Sequence, residues 1–167
     1  DSTFSGVLSF SRTGSAWYRN SSGVWTEATS GNSRTGHHVW NGSSWVNGGV
    51  LVERAATNLL HSTDALTTQT ETVTAQSYTL HFTGTGSVDL SGAHTATLSG
   101  TAAGEENRVS LTFTPSAGTL TLTVTGTVTN AQLETGALQT SYTPNTAGSG
   151  SVTRNAETLE ISAANTS

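Results

Sequence analysis

Apolar and polar residues alternate with a period of two through much of the second half of the chain. Tyr78, Leu80 and Phe82 are separated by Thr79 and His81; Val109, Leu111 and Phe113 by Ser110 and Thr112; Leu120, Leu122 and Val124 by Thr121 and Thr123. Side chains two apart on an extended chain share a face, so each segment predicts a strand with one buried apolar face and one solvated, Thr-rich face. On this pattern His81 belongs to the solvated face. Weaker alternation predicts strands over 87–90, 95–98, 128–133 and 152–161. The breaks between them carry turn chemistry, as in Gly84-Thr85-Gly86, Ser91-Gly92, Ser99-Gly100 and Pro115-Ser116-Ala117-Gly118. A helical period is hard to find anywhere. Short strands at near-regular spacing predict an all-β fold, an antiparallel β-sandwich or barrel.

The first 60 residues have a different texture. All four Trp (Trp17, Trp25, Trp40 and Trp45) lie there. Asn20-Ser21-Ser22-Gly23 reads as a hairpin loop between Tyr18 and Val24, and Asn41-Gly42-Ser43-Ser44 as a second one between Trp40 and Trp45. Residues 61–72 and 143–151 read as loops. Residues 4–60 hold too few aliphatic side chains for a core of their own. The expected arrangement is therefore one domain over 1–167, with the aromatic segment 1–60 and the C-terminal segment 140–162 packing on central strands within 73–134. No unit recurs at a fixed period.

Composition narrows the function classes. The chain has 167 residues, a net charge of -5, and six cations that are all Arg; a basic footprint for nucleic acid is missing. Ser and Thr make up about a third of the residues, which favours strands and turns over helices. Cysteine is absent, which removes disulfides, thiolate nucleophiles and Cys-ligated metals. No apolar run approaches the ~18 residues of a spanning helix, and membrane insertion is not expected. An Asp at position 1 and the lack of Met read as an excerpt or a processed chain. The absence of Lys also bears on assembly, because isolated sheets protect their edges with charges, especially Lys, or with Pro. With only Pro115 and Pro144 available, an oligomer or a covered edge is expected.

Catalytic sets are sparse. There is no HExxH, P-loop or GxSxG elbow. Adjacent His37 and His38 point to opposite faces of a strand, so they make a poor metal pair. Glu105 and Glu106 read as solvated acids in a Gly/Ala-rich turn. The expectation is a protein that is not an enzyme and has no cofactor; a structural Ca²⁺ is left open, since its ligands can be backbone carbonyls. The aromatic hairpins remain. Indole rings beside Asn, Ser and His suit a sugar, whose apolar face stacks on the ring while its hydroxyls meet short polar side chains. The candidate ligand site is Trp40 and Trp45 across the second turn, with Trp17 and His38 as neighbours. In a chain short of charge, Arg12, Glu53, Glu134 and Arg154 lie in alternating or apolar contexts, and buried charges must be paired. They are expected to form ion pairs tying the terminal segments to the central strands.

Four segments, in order, resemble a known family. FSRTGSAWYRNSSGV (10–24), GVLVERAATNLL (49–60), NAQLETGALQTSYTPN (130–145) and SVTRNAETLEI (151–161) are similar to segments of phage tail-fibre and virion-surface proteins. The resemblance implies a β-sandwich of the jelly-roll, concanavalin A-like (lectin-like) type, exposed on the surface of a virion, and transfers no catalytic residue. The departures fall on Trp17 and on 37–46, the two aromatic places. The expected function is a non-catalytic module of a phage or phage-like particle that adheres to host-surface glycans. The alternatives are a purely structural decoration or fibre-attachment domain whose partners are other virion proteins, and a carbohydrate-binding module from a secreted enzyme.

Overall fold

A computed structural model describes residues 8–161. In chain order the strands are β1 (Leu8–Ser11), β2 (Ala16–Arg19), β3 (Trp25–Ala28), β4 (Arg34–Trp40), β5 (Trp45–Leu51), β6 (Ala56–Asn58), β7 (Gln69–Val73), β8 (Tyr78–Gly84), β9 (Ser87–Gly92), β10 (Ala96–Ser99), β11 (Val109–Phe113), β12 (Gly118–Thr125), β13 (Val128–Thr135), β14 (Val152–Arg154) and β15 (Thr158–Ile161). A single 3₁₀ turn spans Glu105–Asn107. The described chain is all-β with antiparallel sheets, as the alternation predicts. The loop expected over 61–72 is shorter than its polar sequence suggests, because β7 starts at Gln69.

The chain gathers into two compact units. One runs to Ala56 and resumes at Thr153; the other is Thr57–Val152. The chain leaves the first unit through β6 and re-enters it through β14.

In the unit 57–152, one sheet has the order β10-β9-β12-β7 and another the order β11-β8-β13. The inward residues of both contribute to one apolar cluster, including Leu80, Phe82, Val88, Leu90, Leu120, Leu122 and Leu133. The alternation of β12 works as the sequence predicts: Leu120 and Leu122 are buried while Thr119 and Thr123 are exposed. The alternation of β8 does not. Every residue from Tyr78 to Gly84 is buried, because the segment 136–145 lies over its polar face. Thr140 N–H and Oγ1 donate to Glu134 (2.7 and 2.9 Å), and Thr143 N–H donates to Gln132 Oε1 (2.7 Å). His81 is therefore not solvated; it is fully buried.

In the other unit β1 pairs with β15, β2 with β3, and β4 with β5, all antiparallel, and β2 lies beside β4. Register shifts on either side of His37 put two irregularities into the β4–β5 ladder. The interior of this unit is unlike that of the other. Its buried hydrophobic residues are Ala16, Ala28 and Ala56, whereas Arg34 and Arg154 are among the largest fully buried side chains of the protein. Ions and their hydrogen bonds fill the space that aliphatic side chains leave empty.

Candidate functional site

Two turns of the same design shape the aromatic surface. Asn20 Oδ1 accepts from the N–H groups of Ser22 (2.9 Å) and Val24 (3.1 Å), and Asn41 Oδ1 from those of Ser43 (3.0 Å) and Ser44 (2.9 Å). A side-chain carbonyl that bonds the backbone two residues on mimics a turn, so each Asn fixes its own loop. The β2–β3 and β4–β5 hairpins predicted around these turns are both present.

Register then sets the rings. Trp40 and Trp45 are directly paired, and their ring centroids lie 5.5 Å apart at an interplanar angle of 55°. Arg19 is paired with Trp25, and its guanidinium carbon stands 5.2 Å from the Trp25 ring and 5.1 Å from the Trp45 ring. Trp25, Arg19, Trp45 and Trp40 thus form one continuous stack. Trp45 is held from behind by Gly23, which has a φ of 75° and where any Cβ would overlap the indole. Only glycine supplies both that backbone conformation and that space. Trp40 ends the stack with 38% of its surface exposed, while Trp17, Trp25 and Trp45 are half-buried.

The polar neighbours are also set by register. His38 lies two residues from Trp40 and is paired with Asn47, so both belong to the face of the Trp pair. His38 Nδ1 is 2.8 Å from the Gly36 carbonyl. A carbonyl only accepts, so Nδ1 carries a proton there. Asn47 Oδ1 accepts from Gly49 N–H (2.7 Å), which leaves its amide nitrogen as a donor. This set of two rings with an imidazole and a carboxamide offers a stacking surface and short polar groups on one face. The structure brings Trp40, Trp45 and His38 together. It does not bring Trp17 into the stack: Trp17 is opposite Glu27 on β3, and its backbone carbonyl accepts from Arg34 Nη1 (2.9 Å). Arg19 and Asn47 were not expected. Arg19 carried a signal, being two residues from Trp17 on a strand; Asn47 is placed only by knowing the register.

The predicted ion-pair residues fall in two places. Arg12, Glu53 and Arg154 meet in the first unit, together with Arg34 and Glu157. Arg12 Nη1 binds Glu157 Oε1 at 2.6 Å, Arg34 Nε binds the same oxygen at 2.8 Å, and Arg34 Nη2 binds Glu157 Oε2. Glu53 Oε2 receives Arg34 Nη1 at 2.8 Å and Arg154 Nη2 at 3.5 Å. Three guanidiniums face two carboxylates, and backbone carbonyls take up further donors: Ala28 and Thr29 for Arg12, Arg54 for Arg154. Arg34 and Glu157 were missed, although Glu157 sits in the quoted SVTRNAETLEI segment.

Glu134 lies in the other unit, bound to His81. Arg108 Nη1 donates to His81 Nδ1 (2.7 Å); a guanidinium cannot accept, so the imidazole proton is on Nε2 and is donated to Glu134 Oε1 (3.2 Å). Burial, with Arg108 beside it, holds the His81 pKa below its ordinary value. Burial also pushes the Glu134 carboxyl up, but hydrogen bonds from His81 and Thr140 outweigh it and hold the carboxyl below its usual range. Glu105, expected to be solvated, is buried and makes a two-pronged pair with Arg108 (2.8 and 2.9 Å), while Glu106 stays exposed. No group of three His, Cys, Asp or Glu side chains suited to a metal ion forms among the described residues.

No family model matches this chain, and no curated protein or solved structure matches it either.

Proposed function

We propose that the protein is a non-catalytic binding module on the surface of a phage or phage-like particle, adhering to host-surface glycans through the β4–β5 hairpin. In this reading the sheets of 57–152 pack as a sandwich of the jelly-roll, lectin-like type, no cofactor takes part, and the module works as part of an oligomer. The observation that carries the proposal is the exposed Trp40 at the end of a stack whose other members are anchored. Trp45 is spent on Gly23 and Arg19, whereas Trp40 offers one ring beside His38 and Asn47. A pyranose face stacks on such a ring, and its hydroxyls match both the donor and the acceptor chemistry of these neighbours. The acid–base pair of the other unit supports a non-catalytic reading, since His81 and Glu134 are fully buried and each is engaged with protein partners.

The alternative, a structural module with virion-protein partners, is favoured by one observation. Val39 and Val46, paired on the opposite face of the same hairpin, are 39% and 37% exposed. A partner protein would cover both faces of the tip, whereas a sugar needs one. The deciding experiment is Trp40→Ala against Val46→Ser, read by binding to host-surface polysaccharide and by thermal melting. On the glycan reading Trp40→Ala loses about tenfold in affinity, the equivalent of ~1.4 kcal/mol, with melting unchanged, and Val46→Ser binds as wild type. Undiminished polysaccharide binding by Trp40→Ala sinks the glycan site.

A further inference from the structure

The polar side chains over β8 and β13 form an unusual layer. A sheet face covered by more protein is normally apolar, yet this one carries Thr79, His81 and Thr83 from β8 and Gln132 and Glu134 from β13, all buried. What covers it is attached by polar groups. The segment 136–145 bonds Glu134 and Gln132 through Thr140 and Thr143. Gly136 O accepts from Thr79 Oγ1 (2.8 Å), and Gln132 Nε2 donates to Ser141 O (3.4 Å). The 3₁₀ turn is held by Arg108, which grips Glu105 with two nitrogens, donates to Asn130 O (3.0 Å) and lies 5.7 Å from the Tyr142 ring. Lifting this cover exposes hydrogen-bonding groups that water can satisfy, while the leucine cluster on the other face of the same sheet stays covered.

We infer that His81, Arg108 and Glu134 form an acid-released latch, which holds the 136–145 segment and the 3₁₀ turn on the polar face of this sheet at neutral pH and frees them in mild acid. The geometry dictates the first step. His81 Nδ1 is an acceptor only while it lacks a proton. When it gains one, two donors and two positive charges face each other across the 2.7 Å contact with Arg108. Arg108 must then leave, and its hold on Asn130 and its place over Tyr142 go with it. Protonated His81 keeps Glu134, so Thr140 remains attached until Glu134 is itself neutralised. Release therefore has two stages, the turn first and the segment second.

The groups beside His81 are Arg108 and Glu105 ahead of β11 and Gln132 and Glu134 on β13, while Tyr142 of the covering segment lies against Arg108. Tyr142 is buried and its pKa is raised to about 12, so it stays neutral through the acid range. His81 binds its proton more weakly in the closed form than the ordinary 6.5, so the closed form is fully favoured above pH 6.5 and loses ground as pH falls through the lowered value. Glu134 adds a second loss below its ordinary 4.5. Each proton taken up on opening shifts the closed-to-open ratio by about tenfold per pH unit.

The test is amide hydrogen exchange on the whole chain from pH 7.5 down to about 3, below the ordinary carboxylate range, corrected for intrinsic rates, with His81 protonation followed by imidazole ¹⁵N shifts. Protection at Arg108 is expected to fall below pH 6.5 by up to about tenfold per unit, with its midpoint on the His81 titration, while Leu122 in the core stays protected. Thr140 is expected to follow only below pH 4.5. His81→Gln, which has no titrating ring, abolishes the first stage; His37→Gln, at the other buried histidine, leaves it in place. Protonation of His81 with unchanged protection at Arg108 overturns the latch, as does the same acid profile in His81→Gln. Should His81→Gln not fold, coincidence of the two wild-type midpoints decides alone, and a mismatch overturns it.

Discussion

Within 57–152 the buried side chains are mostly leucines, valines and aromatics, whereas in the segments 8–56 and 153–161 they are three alanines, three arginines, a histidine and a glutamate. The balance of charge is also unequal. Five of the six arginines belong to the first unit, against Asp1, Glu27, Glu53, Glu157 and Glu160; the second holds Arg108 and six carboxylates. The two interiors respond differently to loss. An apolar cluster is held by many small, non-directional contacts, and removing one leaves a cavity whose cost depends on how well neighbours relax. An ionic interior contributes little net stability over an apolar one, because desolvation offsets the attraction, yet each member is indispensable once the others are buried. The aromatic hairpins stand on the ionic unit, so their geometry depends on a few carboxylate oxygens.

Glu157→Gln is expected to have the largest effect. Glu157 is the hub, joining Arg12, Arg34 and the Glu53 N–H. Its neutralisation leaves guanidiniums buried with too little negative charge, at a cost of about 3–5 kcal/mol. All four Trp lie in this unit, so indole fluorescence during denaturant unfolding reports the loss. Glu160→Gln, on the exposed β15, is the control and is expected within ~0.5 kcal/mol of wild type. If Glu157→Gln is as mild as Glu160→Gln, the ionic interior is not what holds this unit. Leu122→Ala makes the matching cavity in the apolar cluster, at about 2–5 kcal/mol, read by amide exchange at Leu120 and Leu133. Gly23→Ala comes next: it forces a side chain into a positive φ and against Trp45, for about 1–3 kcal/mol of destabilisation and a shifted indole emission.

Much of this was legible in the sequence, and the unread part has a common cause. The period-two runs located β8, β11 and β12, and Asn followed by Gly and Ser located both hairpin turns, because these signals lie within a few residues of chain. What periodicity cannot say is which of two faces a distant segment covers. The Thr and His residues of β8 were therefore read as solvated when 136–145 buries them, although Gln132 and Glu134, and the Thr140 and Thr143 that bond to them, all stand within the segment 130–145. The same limit applies to charge. A chain short of charged residues flagged Arg12, Glu53 and Arg154, but Arg34 and Glu157 share their cluster through contacts more than a hundred positions apart. In the aromatic site, Trp40 and Trp45 followed from the turn between them and Arg19 carried a signal in its spacing from Trp17, while Asn47 required cross-strand register.

Tyr142→Phe, on the polar side of the second unit, is the mildest of these changes at neutral pH. The Tyr142 hydroxyl is 2.7 Å from Thr63 Oγ1, inside a buried set that includes Asn145. Removing it does not orphan Thr63, whose Oγ1 still donates to Asn145 O (3.3 Å) and accepts from Asn145 N–H (2.9 Å). The expected cost is accordingly that of one ordinary hydrogen bond, about 0.5–1.5 kcal/mol, well below that of losing Glu157. Alkali separates the two proteins further. Burial raises the Tyr142 pKa from 10 to about 12, with Asp64 adding to the rise. A group whose folded pKa is raised contributes stability that is complete below its unfolded value and is lost as pH climbs through the folded one. Wild type should therefore lose up to about tenfold in its folding equilibrium per pH unit between 10 and 12 through this phenol, and Tyr142→Phe should lack that component. Ultraviolet absorbance of the phenolate, followed alongside unfolding, checks both halves. If the variant shows the same alkaline slope as wild type, Tyr142 is not held neutral by its burial.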